Sequence, residues 1–503
     1  MPTVQSQRHA LEIVERSYAA STPEEYERAA RELETIVELL NDPIVYSQLG
    51  RMYRELRIAD RSTAAFRAAS LLEPESAGIM SNVTCFLRDF DREAEAIAIL
   101  KCALRRNPTL TEGWHNLGAM LRNTGDLESA LACFEEANPP DGTPLVDLGM
   151  GEILTPLGRS QESVYYAQRA AQRSEPGSLV FIEAMMASGL ARLAHGELGA
   201  GWDEIEARLD RPGFRALTPP GLPAWNGPGD SAEHVLVWRE QGIGDEIRFL
   251  SCLPDILADT NRVTVRCTNR LASIIQRTFG VDVITGTTDV PETADAHISM
   301  GTLMRHYRRS LDAFPATTQT LTPDPAKVAH WKARLAELGG DAHVGLSWRS
   351  RVQTTRRSIH YPDLASLASL GTLSGVTLID LQYDHNAAEL NELRDTHGLD
   401  LVHFEDLDLM NDLEGVFALA AALDAVIVVG NSVSEIAGSV GTPTYEINVD
   451  HTPLAFGQIR SSWHPTVTMC TRAWNEPWSV AIAKAVDALT QQLATPHTAK
   501  EQL

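Results

Sequence analysis

From about residue 43 the chain repeats itself every 34 residues, and no other feature restricts its possible folds as strongly. Ala69, Ala103, Ala137 and Ala171 are spaced by that interval, as are Phe66, Leu100 and Phe134, and Tyr46, Met80, Trp114 and Leu148. Pro74, Pro108 and Pro176 close their units. Gly50 and Gly118 stand where two helices of one pair must approach closely. A helix pair of this size cannot bury its apolar face alone, so successive pairs must stack, and stacking makes a solenoid with a concave groove.

This is the tetratricopeptide pattern, clearest from Trp114-His-Asn-Leu-Gly118 through Ala130, Phe134 and Ala137. Residues 1–42 read as a degenerate helical cap and 43–210 as the solenoid, its fourth unit drifting at Gly151, Glu152, Thr155 and Gln168. The groove suits a protein or peptide; the alternative is a scaffold that only docks on the chain's own second half.

Pro212, Pro219-Pro220, Pro223 and Gly227-Pro-Gly229 then end the helices and mark 211–231 as a semi-rigid link. Beyond it, strand and helix patterns alternate. Val235 to Trp238 reads as a buried strand; the turn Gln241-Gly-Ile-Gly-Asp245 and a helical pattern (Ile247, Leu250, Leu253) follow. A second such series starts at Ala342-His-Val-Gly-Leu-Ser-Trp348 and is most regular from Leu413 to Gly441. The expected architecture is therefore α plus α/β, a solenoid followed by two Rossmann-like domains, 232–325 and 326–503. Two such units facing each other make a cleft, a common place for ligands.

The net charge of -24 argues against nucleic acid or an anionic membrane as partner. Met1 to His9 has no apolar core of a signal peptide, and the longest apolar run, Ala418 to Val429, is interrupted by Asp424 and too short to span a bilayer. Six scattered cysteines without a CxxC pair fit reduced thiols. A cytoplasmic protein is expected.

Against this acidic background, Arg349, Arg351, Arg356 and Arg357 form an unusual basic loop after a strand. Guanidinium forks suit phosphate oxygens; the alternative is a solvated surface loop. Gly242 and Gly244 would allow positive φ and close approach of a ligand, with Asp245 at the mouth of the crevice or, in the plainer reading, an N-cap. Asn431, Ser432 and Ser434 offer cap side chains and amides at a helix start, a natural anion site. Glu435 would accept hydrogen bonds from ribose hydroxyls or face the helix dipole. Asp406-Leu-Asp408 has the DxD form of a metal ligand pair, but N-capping fits its place before a helix better. No metal is required by these groups.

Taken together, residues 43 to 495 resemble bacterial tetratricopeptide-repeat glycosyltransferases of the GT-B fold, related to the heptosyltransferases. Gly201-Trp-Asp-Glu-Ile-Glu-Ala-Arg208, Glu240-Gln-Gly-Ile-Gly-Asp245, Val344-Gly-Leu-Ser-Trp348, Leu381-Gln-Tyr383 and Trp463-His-Pro465 resemble that family's signature blocks. The resemblance implies that Asp245 is the catalytic base and that Thr354-Thr-Arg356 lies near the donor phosphates. One departure is Glu435, where relatives often have His, so the donor is open. Asn431-Ser-Val-Ser-Glu-Ile-Ala-Gly438 looks most like the flagellin-modifying, FlmG-type branch. It implies a nucleotide-sugar donor, a CMP-linked nonulosonic acid such as pseudaminic acid, and flagellin or another secreted protein held by the repeats. Two rivals stand beside this reading: a non-catalytic client-binding protein or chaperone with an idle transferase fold, and a transferase acting on lipid-linked or polysaccharide acceptors.

Overall fold

The computed structural model describes residues 4–74, 76–138, 142–384 and 386–494. The chain forms two compact units, Met1–Ile153 with Thr354–Arg356, and Leu154–Gln353 with Arg357–Leu503.

The first unit is a stack of helix pairs of the tetratricopeptide type. The first helices of successive pairs, Pro43–Glu55, Ala77–Asp89 and Thr111–Asn123, begin 34 residues apart, and so do the second helices, Ala59–Leu72, Glu93–Arg106 and Leu127–Ala137. The repeating positions are the core: Ala69 and Ala137 are fully buried, as are Phe66, Leu100 and Phe134 within a few per cent. Gly118 is needed because a Cβ there would stand 3.0 Å from the Phe134 ring, and at Gly50 it would stand 2.8 Å from that of Phe66. The described part of the expected cap, residues 4–42, is more regular than a degenerate one. It forms a further pair, Val4–Ala19 and Pro23–Leu40, whose second helix opens on a complete capping box between Thr22 and Glu25.

The second unit starts with helices, not with the first strand. Leu179–Ala194 and Leu198–Ile205 share one apolar core with the sheets: Leu193, Trp202 and Ile205 cluster with Val235, Phe249, Phe456 and Trp463. Trp202 meets Phe456 and Trp463 edge-on, both at 6.1 Å between ring centroids, and its indole Nε1 donates to Arg308 O at 2.9 Å. The expected boundary at 210 is thus corrected to about 153, because large aromatics on both sides of 210 fill one core. Residues 211–231 are packed as well: Trp225 N donates to His297 O at 2.8 Å, and His297 N to Pro223 O at 2.9 Å.

Among the described residues, ten strands form two all-parallel sheets. β1 (His234–Trp238), β2 (Arg262–Arg266), β3 (Asp282–Ile284) and β4 (Ala296–Ser299) lie in the order β3-β2-β1-β4. β5 (Ala342–Ser347), β6 (Val376–Asp380), β7 (Leu401–Val402), β8 (Ala425–Val429), β9 (Thr444–Val449) and β10 (Val467–Arg472) lie in the order β10-β9-β8-β5-β6-β7. The second order is that of a dinucleotide-binding doubly wound sheet, with its direction reversing between β5 and β8. β1, β5 and β8 are runs of buried residues, as parallel strands covered on both faces must be. Strand β10 had no counterpart in the sequence reading; its buried residues, Val467, Cys470 and Arg472, follow no regular alternation.

Candidate active site

Each sheet presents a turn at the carboxyl end of a central strand, and the two turns meet. The first follows β1 and enters the helix Ile243–Phe249. Gly242 is its N-cap position with φ -76, and neither it nor Gly244 has positive φ, so that expected reason for glycine is corrected. At Gly244 a Cβ would lie at ordinary contact distance, 3.5 Å from Ser432 Cα and 3.6 Å from Glu435 Cγ, so the two turns pack together without requiring glycine there. Asp245 falls in the first turn of the helix and not at its N-cap, so the capping reading does not hold.

The second turn follows β8. Asn431 caps the helix Ser432–Ser439, its side-chain oxygen accepting from Val433 N at 2.8 Å. Its Nδ2 donates to Ser347 Oγ at 3.1 Å and to Arg349 O at 3.3 Å, tying β8 to β5 at the point where the strand order reverses. Ser434 is buried, and its hydroxyl donates to Glu446. The Ser432 amide, 3.8 Å from the Cβ position of Gly244, faces the glycine turn.

An ion-paired chain joins the two turns. Arg248, one helical turn after Asp245, lies with Nη1 3.5 Å from Asp245 Oδ1 and donates through Nη2 to Glu435 Oε1. His464 Nε2 is 3.0 Å from Glu435 Oε2. Burial pushes the Glu435 carboxyl up, but the charge of Arg248 and the hydrogen bond from His464 outweigh it and hold the carboxyl at about 2. Asp245 behaves in the opposite way: burial raises its pKa, Arg248 opposes, and Glu435 and Glu240 raise it further. Its side chain remains one-third exposed, open at the mouth of the crevice.

The structure therefore brings together Gly244, Asp245, Asn431, Ser432, Ser434 and Glu435, with Gly242 adjacent. Two of the expected ligand groups are paired within the protein. Glu435 is buried, with Oε1 accepting from Arg248 and Oε2 3.0 Å from His464. The Arg349 fork is also occupied: Nε and Nη2 donate to Glu389 at 2.8 to 3.0 Å and Nη1 to Asp384, so it is a buried structural cation. Arg357 is exposed, and Thr354–Arg356 belongs with the first unit. There Thr355 Oγ1 donates to Glu93 at 3.1 Å and Arg356 lies 3.9 Å from Glu152. Asp406 pairs with Arg334 at 2.7 Å, and Asp408 caps the turn at Met410 and Asn411.

Arg248, Glu446 and His464 are the site residues that sequence reading missed. Two signals were available: the spacing of Arg248 three residues after Asp245 on a helix, and the block Trp463-His-Pro465, which holds His464.

No family model matches the chain. It is similar to Protein FlbA of Caulobacter vibrioides, 29% identical over 499 residues, a match that covers 92% of this chain and 81% of that protein. Among solved structures it is similar to PilW, a type IV pilus biogenesis factor, at 20% identity, 42% of this chain, 94% of that one and a TM-score of 0.35. It is similar also to TTC0263, a TPR protein of Thermus thermophilus, at 18% identity, 36% of this chain, 97% of that one and a TM-score of 0.31. No helix of the described residues is long and apolar enough to cross a membrane.

Proposed function

We propose that the chain is a protein O-glycosyltransferase of GT-B type, with Asp245 as base and a nucleotide-sugar donor at the β5–β8 reversal. The observation that carries this reading is the convergence of two glycine- and serine-bearing turns on one acidic side chain whose pKa is raised. A carboxylate lifted in this way is a better proton acceptor near neutral pH. Asp245 would take the proton of a serine or threonine hydroxyl as its oxygen attacks the anomeric carbon. The bond from that carbon to the phosphate oxygen breaks, and its electron pair leaves with the nucleotide. Arg248 holds Asp245 oriented, and the Ser432 amide is placed to face the departing phosphate. With Arg349 and Glu435 engaged elsewhere, amides rather than guanidiniums carry that task. A CMP-linked nonulosonic sugar and a flagellin acceptor held by the repeats are the finer parts of the reading, and they rest on the resemblance of residues 431–438.

The test is the intact mass of flagellin from cells with the wild-type chain, with Asp245→Asn and with neither. A mass increment present only with wild type supports transfer. Equal masses in all three remove flagellin as acceptor. The rival reading, a client-binding protein without transfer, is favoured by the pairing of Glu435 and Arg349 with groups of the chain itself, and it predicts that same equality for every protein that the repeats hold.

A further inference from the structure

A cavity of about 770 Å³ opens on the first sheet, and its lining includes neither Asp245 nor Glu435. That volume lies within the range of about 300–1,000 Å³ usual for small-ligand sites. The cavity sits where His297 and Ser299 of the edge strand β4 meet Trp238 at the end of β1, under Trp225 and beside Glu206 and His306.

Two observations mark it as a site. Trp225 is 3% exposed, yet its indole Nε1 has no hydrogen-bond partner among the described residues. A buried donor left unpaired is costly and rare. The second concerns His297. Trp238 Nε1 donates to His297 Nδ1 at 3.0 Å, which makes Nδ1 the acceptor and leaves the proton of the neutral ring on Nε2. Burial lowers the pKa of both His297 and His306, helped by Arg266 and Arg305 respectively, so both rings are neutral donors at pH 7.

Charge decides the class of ligand. Arg305 and Arg309 share Asp203 at 2.8 to 3.1 Å, and Arg208 is matched by Glu206 and Glu240. Three cations against three carboxylates leave no excess to attract phosphate. What remains is neutral: N–H donors, carboxylate acceptors, and an apolar corner where the Trp225 and His306 rings meet edge-on at 5.4 Å. A hydroxyl both gives and accepts a hydrogen bond, and a sugar ring sets several of them around an apolar C–H face. A peptide strand offers fewer donors to the carboxylates.

We propose that this cavity binds a neutral carbohydrate, with Trp225 Nε1 and His297 Nε2 donating to its hydroxyls, Asp203 and Glu206 accepting from them, and the His306 ring against its apolar face. The proposal does not rest on the transferase reading, since Asp245 takes no part in it.

The test titrates the full chain with maltotriose, mannotriose, globotriose and triacetylchitotriose by calorimetry, with inorganic phosphate and a serine-rich peptide as controls. At least one saccharide should bind with Kd below about 1 mM. Trp225→Phe and His297→Gln, with melting midpoints near wild type, should each weaken it at least about fivefold, the loss of one hydrogen bond. Asp245→Asn should leave binding unchanged. If those variants do not fold, the indole N–H resonances of the 15N-labelled wild type provide the readout, and one of them should shift with the saccharide. No binding by any of the four, binding indifferent to both variants, or displacement by phosphate or peptide would overturn the proposal.

Discussion

Asp245 and Glu435 are separated by a single arginine, and burial acts on both, yet their carboxyls move in opposite directions. Glu435 has Arg248 and His464 on its two oxygens and is held at about 2; Asp245 has only the distant edge of Arg248 and is raised. Because its folded pKa lies above the ordinary value, ionised Asp245 costs stability as pH rises through that range. Asp245→Asn should therefore abolish transfer and leave the melting midpoint equal or slightly higher at pH 7. A variant that transfers normally would remove Asp245 as the base. For Glu435 the sign reverses. Its folded pKa is depressed below 4.5, so its contribution is complete above that value and is lost as pH falls toward 2. Glu435→Gln leaves buried Arg248 with only Asp245, 3.5 Å away, as charge partner; breaking a buried pair costs up to about 3–5 kcal/mol. The gap in stability between wild type and Glu435→Gln should be widest above pH 5 and close between pH 4.5 and 2, as read by denaturant midpoints.

At the scale of elements, the helix Ser432–Ser439 depends on Asn431, which caps it and at the same time bridges β8 to β5. If this turn receives a nucleotide, CMP at about 100 times its dissociation constant should stabilise the chain by roughly 2.7 kcal/mol, visible as a thermal shift. CMP should exceed UDP, GDP and ADP, and Asn431→Ala should erase the shift. A preference for UDP or ADP would redirect the donor reading and leave the turn as the site. In the repeats the governing contact is closer still. Gly118 faces Phe134 at 3.0 Å from its Cβ position, so Gly118→Val should overpack the pair and cost about 1–3 kcal/mol, measured by urea unfolding.

For the whole molecule, the unit boundary is the property with most practical consequence. Trp202 and Ile205 belong to the core of the sheets, and Arg208 makes a buried two-pronged pair with Glu240 at 2.8 and 3.1 Å, five residues before Asp245. A chain of residues 154–503 should fold with a cooperative melt, whereas 211–503 should be expressed insoluble or melt without cooperativity. Equal melts for the two would show that the helices 179–205 contribute nothing to the second unit.

What the sequence determined by itself is whatever a local period or a local turn can express. The 34-residue spacing of the alanines specifies helix pairs, and glycine stands at 50 and 118, where Phe66 and Phe134 cross and leave no room for a Cβ. Runs such as Val235 to Trp238 and Ala425 to Val429 specify buried strands, and Asn431 specifies the start of a helix. Tertiary structure alone decided which charges are free. Arg349 looked available until Glu389 and Asp384, 40 and 35 residues away, closed on it. Glu435 stood alone in the sequence, and in the fold Arg248, 187 residues earlier, and His464, 29 later, pair with its two oxygens. A charge buried in the fold must find a partner at whatever sequence distance the fold supplies one, and no periodicity records that distance. The boundary at 153 followed the same rule, because the aromatic core that erases the expected one at 210 is assembled from Trp202, Phe314, Phe456 and Trp463, which meet only in three dimensions.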